Sequence, residues 1–173
     1  MKTIQAFNTI LLGLLTAAFA LGSSAAVAAP GEIAVIVKTT NSNYWQNVKK
    51  GASASAADAK GYSLTFQGPA SESAIADQVS MVENAVTRKV AGIVLAASDP
   101  DALVPALKKA WEAKIPVVLI DSLVADSGKR YYQSFLSTDN EAAGEQSAKA
   151  LISQVGKTGK IAVMSYVAGA GSE

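Results

Sequence analysis

The sequence predicts an α/β fold built on a doubly wound parallel sheet. Short, almost uninterrupted apolar runs rich in Val and Ile alternate with longer stretches whose apolar residues recur every three or four positions. Gly, Pro or a polar cluster marks each change of pattern. Runs of the first kind are too short for helices and too uniformly apolar for strands with one wet face, so they read as central parallel strands. Strands alternating with helices of that length require right-handed crossovers within one parallel sheet.

The first strand is expected at Glu32 to Lys38. After the polar break from Thr39 to Asn43, Trp45, Val48, Ala52, Ala56 and Ala59 form one apolar stripe, so a helix follows and ends at Gly61. Tyr62 to Gln67 is the second strand, and Ser73 to Arg88 the second helix, with Ile75, Val79, Val82 and Val86 inward. Gly92 to Ala96 makes the third strand. Asp99 is then read as a helix cap with Pro100 at the first helical position, and Leu103, Leu107 and Ala110 on the inner face. Pro116 to Asp121 is the fourth strand. A polar excursion from Asp126 to Arg130 leads to a fifth at Tyr132 to Ser137. Thr138 to Glu141 has the residue types of a capping box for a helix running to about Val155. Gly156 to Gly159 turns the chain into a sixth strand, Lys160 to Val167, followed by a loop from Ala168 to Gly171.

Composition removes whole classes of chemistry. The 173 residues contain no Cys and no His, so there is no thiol nucleophile, no imidazole base, no disulfide and no zinc site of the usual nitrogen or sulfur kind. Neither a metal nor a cofactor is called for. Lys and Arg number 15 against 14 Asp and Glu, without a basic block, which leaves no electrostatic footprint for nucleic acid.

The N-terminus reads as a secretory signal peptide. Lys2 precedes an apolar run from Ile10 to Leu21, and Ala26-Val27-Ala28 offers a small-x-small cleavage site. Cutting after Ala28 avoids placing Pro30 directly at the scissile bond. The apolar run falls short of the about 20 residues a spanning helix needs, so no membrane insertion is expected once the leader is removed. With no Cys to carry a lipid, a soluble exported protein is expected, periplasmic in an organism with two membranes.

In a doubly wound sheet the loops leaving the C-terminal ends of the strands gather on one edge, where ligands bind. Here those loops carry Thr39 to Trp45, Gly68 to Ser73, Ala97 to Asp99, and Asp121-Ser122. Hydroxyls, amides, carboxylates and two aromatics suit a neutral polyhydroxylated ligand. Phosphate would call for a glycine-rich loop with a placed Lys or Arg, and neither a G-x-G-x-x-G nor a P-loop follows the first strand. Trp45 lies on its helix's apolar stripe and reads equally as core; Tyr44, one step round, is the better pocket residue. Asn41 and Ser42 are explained equally well as satisfying the helix N-terminus. Asp121 directly follows Val117 to Ile120, so its carboxylate sits at the edge of a buried strand and needs partners, which ligand hydroxyls could supply. Asp99 reads as a cap rather than a ligand contact, and Lys49-Lys50 and Lys108-Lys109 as solvated helix faces.

Taken in order, Glu32 to Lys38, Asn41 to Trp45, Lys50-Gly51-Ala52, Gly92 to Leu95, Ser98-Asp99, Ile115 to Val118 before Asp121, Ser137 to Asn140 and Ala143-Gly144 resemble the ribose-binding-protein family. These are periplasmic sugar-binding components of bacterial ABC importers. The resemblance implies a type I periplasmic-binding-protein lobe and a ligand, a sugar or polyol, held between two lobes that close like a hinge. The closed form would be presented to a membrane permease and, in some cases, to a chemoreceptor. Carried over, Ser42, Tyr44 and Trp45 fall on the first-loop contacts, Asp121 on the aspartate that binds sugar hydroxyls, and Thr138 and Asp139 on the first hinge crossing; Asn41 and Ser122, beside them in the same loops, complete the expected ligand-binding set. The family often has Asn where Ala96 stands and Arg where Ser122 stands, which leaves the identity of the sugar open.

The resemblance also sets the expected organisation. Residues 1–28 are the leader, 29–138 an N-terminal lobe lacking its returning strand, and 139–173 the start of a similar C-terminal lobe. Family members continue for about one further lobe, so the chain is expected to be a fragment that binds sugar weakly or not at all by itself. An alternative class, a small secreted α/β hydrolase using Asp121 with a serine, lacks a general base and a G-x-S-x-G elbow. A lactose-repressor-type regulator has the same architecture, but here a leader takes the place of a DNA-reading helix-turn-helix.

Overall fold

The computed structural model describes residues 31–156 and 158–164. The leader and the loop from Ala168 to Gly171 lie outside the described residues. Five strands form one sheet: β1 (Glu32–Ile36), β2 (Ser63–Gln67), β3 (Gly92–Leu95), β4 (Val117–Ile120) and β5 (Ser134–Leu136). Their order is β2-β1-β3-β4-β5, and every neighbouring pair is parallel. The chain winds outward from β1 to β2, then back past β1 to β3, β4 and β5. The switch point between β1 and β3 is where such sheets open a crevice at their C-terminal edge.

Helices α1 (Asn43–Asp58), α2 (Ile75–Thr87) and α3 (Val104–Glu112) make the crossovers. Alternation along the strands divides the core into two layers. Ala34, Ile36, Ile93, Leu95, Val117 and Leu119 pack with Val82 and Ala85 of α2 and Leu107 and Ala110 of α3. The alternate residues Val35 and Val37 join Trp45 of α1 and Ala96, with Ile33, Val94 and Ile120 packed partly buried against them. An apolar hollow of about 440 Å³ runs between this second face and α1.

Beyond shifts of one to three residues at element ends, the structure departs from the sequence reading in three places. Asp99 caps a tight turn rather than a helix, its Oδ1 accepting the Asp101 and Ala102 N–H groups at 2.9 and 2.7 Å. Helix α3 begins four residues beyond Pro100, at Val104, and Pro105 supplies the proline of its first turn. The capping box is displaced by one residue: helix α4 (Asn140–Val155) is capped by Asp139, not Thr138, through a 2.9 Å bond from the Ala142 N–H. The sixth strand does not form over 160–164, the described part of Lys160 to Val167. A strand exists only through a paired neighbour, and residues 160–164 have none among the described residues. The polar excursion is a 3-10 turn, Asp126–Tyr131. Helix α4 buries none of its residues and leaves Leu151, Ile152 and Val155 exposed.

Candidate functional site

Two strand ends and one helix start build the site. As β1 leaves the sheet, Lys38 and Thr39 stay buried. Ser42 has the extended backbone of an N-cap and accepts the Trp45 N–H at 3.3 Å, which starts α1 and sets Tyr44 and Trp45 in its first turn. Their rings meet edge to face, 4.8 Å between centroids.

Beyond β3, at the end of β4, Asp121 adopts a left-handed backbone, φ 63°. The Ser122 N–H closes on the Ile120 carbonyl at 2.6 Å, a one-residue turn that is strained for any residue but glycine. Two bonds to the end of β5 hold it: the Asp121 N–H donates to Leu136 O at 3.0 Å, and Ser137 Oγ donates to Asp121 O at 2.9 Å. The turn aims the carboxylate back over the sheet edge toward β1. Its Oδ2 lies 2.9 Å from Lys38 Nζ and accepts from Ser122 Oγ at 2.8 Å, while Oδ1 accepts from the Tyr44 hydroxyl at 3.2 Å. The cluster is formally neutral. Burial, reinforced by the Asp121 charge and hydrogen bond, holds the Tyr44 hydroxyl above its ordinary pKa.

The sequence-predicted residues therefore gather on one edge but in two groups. Tyr44, Asp121 and Ser122 touch. Asn41 and Ser42 line a separate polar hollow of about 410 Å³ with Thr39, Ser71, Glu72 and Ser73. The Asn41 amide is taken by Ala70 O at 2.9 Å. Trp45 stands between the groups: its ring is buried with Val35, Val37 and Ala96, and its Nε1–H donates to Glu72 Oε1 at 3.3 Å. Thr138 and Asp139 follow β5, with Thr138 O 3.2 Å from Ser137 Oγ as the farther of two acceptors for its single hydroxyl proton. A larger hollow of about 520 Å³ beside Trp111, Pro116 and Gln133 opens at the opposite, N-terminal ends of the strands and is remote from this chemistry.

Two residues escaped the sequence reading. Lys38 is the buried partner of Asp121, and the argument that singled out a carboxylate at a strand end applies equally to a lysine there. Gln78 of α2 is fully buried. Its Nε2 donates to Val37 O and Ala96 O at 3.1 and 2.8 Å, and its Oε1 accepts the Ser98 N–H at 2.8 Å, tying the exits of β1 and β3 together. A lone amide on an otherwise apolar helix face was the available signal. Among the described residues no cluster of three or more acidic side chains is placed to hold a metal ion, and no helix is long and apolar enough to cross a membrane.

Comparison with known proteins places this arrangement among relatives. The family model described as a periplasmic binding protein domain matches residues 33–172. The D-allose-binding periplasmic protein of Escherichia coli (strain K12) is 30% identical over 173 residues, covering 97% of this chain and 53% of that protein. An ABC transporter solute binding protein from Agrobacterium vitis, solved with bound D-fucose, is 71% identical with a TM-score of 0.81, covering 83% of this chain and 49% of that one. A carbohydrate transporter solute binding protein from Agrobacterium radiobacter, solved with D-arabinose, is 34% identical with a TM-score of 0.75 over the same shares. The chain spans about half the length of these relatives.

Proposed function

Because the chain belongs to the periplasmic binding protein domain family, we propose that it forms one wall of an exported solute-binding protein that captures a monosaccharide or related polyol and delivers it to an ABC-type permease. Residues 29–138 are the N-terminal lobe and 139–173 the opening of the second, with Thr138 and Asp139 at the first crossing between them. The leader is removed after Ala28, releasing the protein into the periplasm. The ligand stabilises the closed arrangement of lobes, and that form docks on the permease. A chemoreceptor can read the same form.

The observation that carries this reading is the Asp121 cluster. The Asp121 carboxylate offers Oδ1 as an acceptor to ligand hydroxyls, and Lys38 cancels its charge, so a neutral ligand is desolvated there without leaving a net charge behind. The Tyr44 ring beside it offers an apolar face to the C–H side of a sugar. No covalent chemistry is proposed: both Asp121 oxygens accept hydrogen bonds, and the sequence has no imidazole to serve as a base. The relatives solved with D-fucose and D-arabinose make aldoses the first ligands to try.

Thermal unfolding of the complete two-lobed protein against a panel of D-fucose, D-arabinose, D-allose and D-ribose tests the proposal. A concentration-dependent rise in Tm with at least one sugar, lost in Asp121→Asn, is expected. Absence of a rise with every sugar and polyol tried would overturn it. The chain by itself, with one wall of the cleft, is expected to bind weakly or not at all by titration calorimetry.

A further inference from the structure

The Asp121 carboxylate, read above as the acceptor for ligand hydroxyls, already accepts from a hydroxyl of the protein, that of Tyr44. A carboxylate has about four lone-pair positions, two on each oxygen. On Asp121, Oδ2 accepts from both Lys38 Nζ and Ser122 Oγ, and those donors are locked, with Lys38 2% and Ser122 0% exposed. Among the described residues Oδ1 accepts from Tyr44 alone, at 3.2 Å, the longest of the three contacts. Tyr44 is 54% exposed, so it is the one donor with room to move. An incoming ligand therefore finds Oδ2 filled and one lone pair open on Oδ1: a first hydroxyl can take the open position, and a second, as from a vicinal diol, must take the one that Tyr44 holds.

Resting on the sugar-binding reading above, we propose that the Tyr44 hydroxyl is an internal stand-in for a ligand hydroxyl, holding Asp121 Oδ1 until a sugar hydroxyl replaces it. In the empty cleft the bond offsets the cost of a partly buried carboxylate lone pair and keeps Asp121 aimed at the edge. On binding, a protein bond is exchanged for a ligand bond of the same kind. The phenol swings off the carboxylate while its ring remains beside Trp45 to cover the sugar. Part of the gain from the new bond is thereby cancelled, so Tyr44 sets affinity lower than an otherwise identical phenylalanine would.

This reverses the usual sign of a hydrogen-bond deletion. Tyr44→Phe keeps the ring and removes only the hydroxyl. In the complete two-lobed protein it is expected to bind D-fucose roughly fivefold more tightly, the factor of one ordinary hydrogen bond no longer exchanged. The same substitution should lower the thermal stability of the ligand-free protein. Measured across monodeoxy analogues of D-fucose, the gain should vanish for an analogue lacking either hydroxyl of the pair that takes Asp121. Unchanged or weaker D-fucose binding in Tyr44→Phe, or a gain identical for every analogue, overturns the proposal while leaving the sugar-binding reading intact. If neither wild type nor variant binds any sugar, the sugar-binding reading itself fails and takes this one with it.

Discussion

Lys38 Nζ lies 2.9 Å from Asp121 Oδ2, with the lysine side chain 2% and the aspartate 19% exposed. The pair joins the exit of β1 to that of β4 across the intervening β3. Bringing two charges out of water is costly, and removing one strands the other in the same low-dielectric position. Lys38→Met should therefore destabilise the protein by about 2–3 kcal/mol, below the full value for a wholly buried pair because water reaches Asp121. Asp121→Asn, which keeps a hydrogen-bonding group of the same shape beside Lys38, should cost less. Urea denaturation of the double variant should show a loss well short of the sum of the two; simple additivity would mean the pair is not coupled.

Gln78 is the second fastening of the same edge. Its three hydrogen bonds serve groups with no access to water, and the side chain itself is 0% exposed. Replacing it with Leu preserves volume but leaves the Ser98 N–H and two carbonyls without their partner. The expected loss is about 3 kcal/mol by chemical denaturation, with faster amide exchange at Ser98. An unchanged denaturation midpoint would show that the loops close without this amide.

The sequence made the sheet legible because each strand is an apolar run bracketed by breakers. The observed strands are shorter at their ends, as at β1, where Val37 and Lys38 already belong to the exit loop. Helix starts were less legible, since Asp99 with Pro100 carries the signals of a beginning, whereas the observed start at Val104 has no side-chain cap and only Pro105 in its first turn to mark it. For the site, Asp121 stood out through its place after Val117 to Ile120, but its partner did not. Lys38 reaches it only because β1 and β4 flank β3, and strand order is a non-local property that no periodicity records. Similarly, Tyr44 was legible as an exposed aromatic on α1, whereas its bond to Asp121 depended on the left-handed turn at that aspartate.

At the opposite end of the strands, Glu32 accepts from Arg88 Nη2 at 2.7 Å, from Arg88 Nε at 3.1 Å and from Thr65 Oγ1 at 2.6 Å. The Arg88 hydrogen bonds, followed by that of Thr65, hold the Glu32 carboxyl below its usual range. A carboxyl depressed by folding contributes stability at pH values above its unfolded pKa, and that contribution drains away as pH falls from about 4.5 through the folded value. Denaturation midpoints measured from pH 7 down to pH 3 should fall more steeply for wild type than for Glu32→Gln, which has nothing to protonate there. Parallel curves would assign the acid sensitivity to other groups.

Gly68 immediately follows β2, where its chain crosses closest to the exit of β1. A Cβ built there would stand 2.8 Å from the Val37 carbonyl oxygen and 3.2 Å from the Thr39 backbone. These are backbone atoms of the β1 exit, which the Val37 N–H ties to Gln67 O at 2.9 Å, so they cannot swing aside as a side-chain tip would. Gly68→Ala should therefore cost about 1–3 kcal/mol and displace the segment from Thr39 to Ser42 that starts α1. Gly51 provides the control, since it lies inside α1 with nothing within 4 Å of its would-be Cβ. There the same added methyl should stabilise by roughly 0.5–1 kcal/mol through helix propensity alone. The two alanine variants, compared by thermal denaturation, should move Tm in opposite directions. A rise at both positions would show that β2 does not press on the β1 exit, and that the site edge is looser than its packing implies.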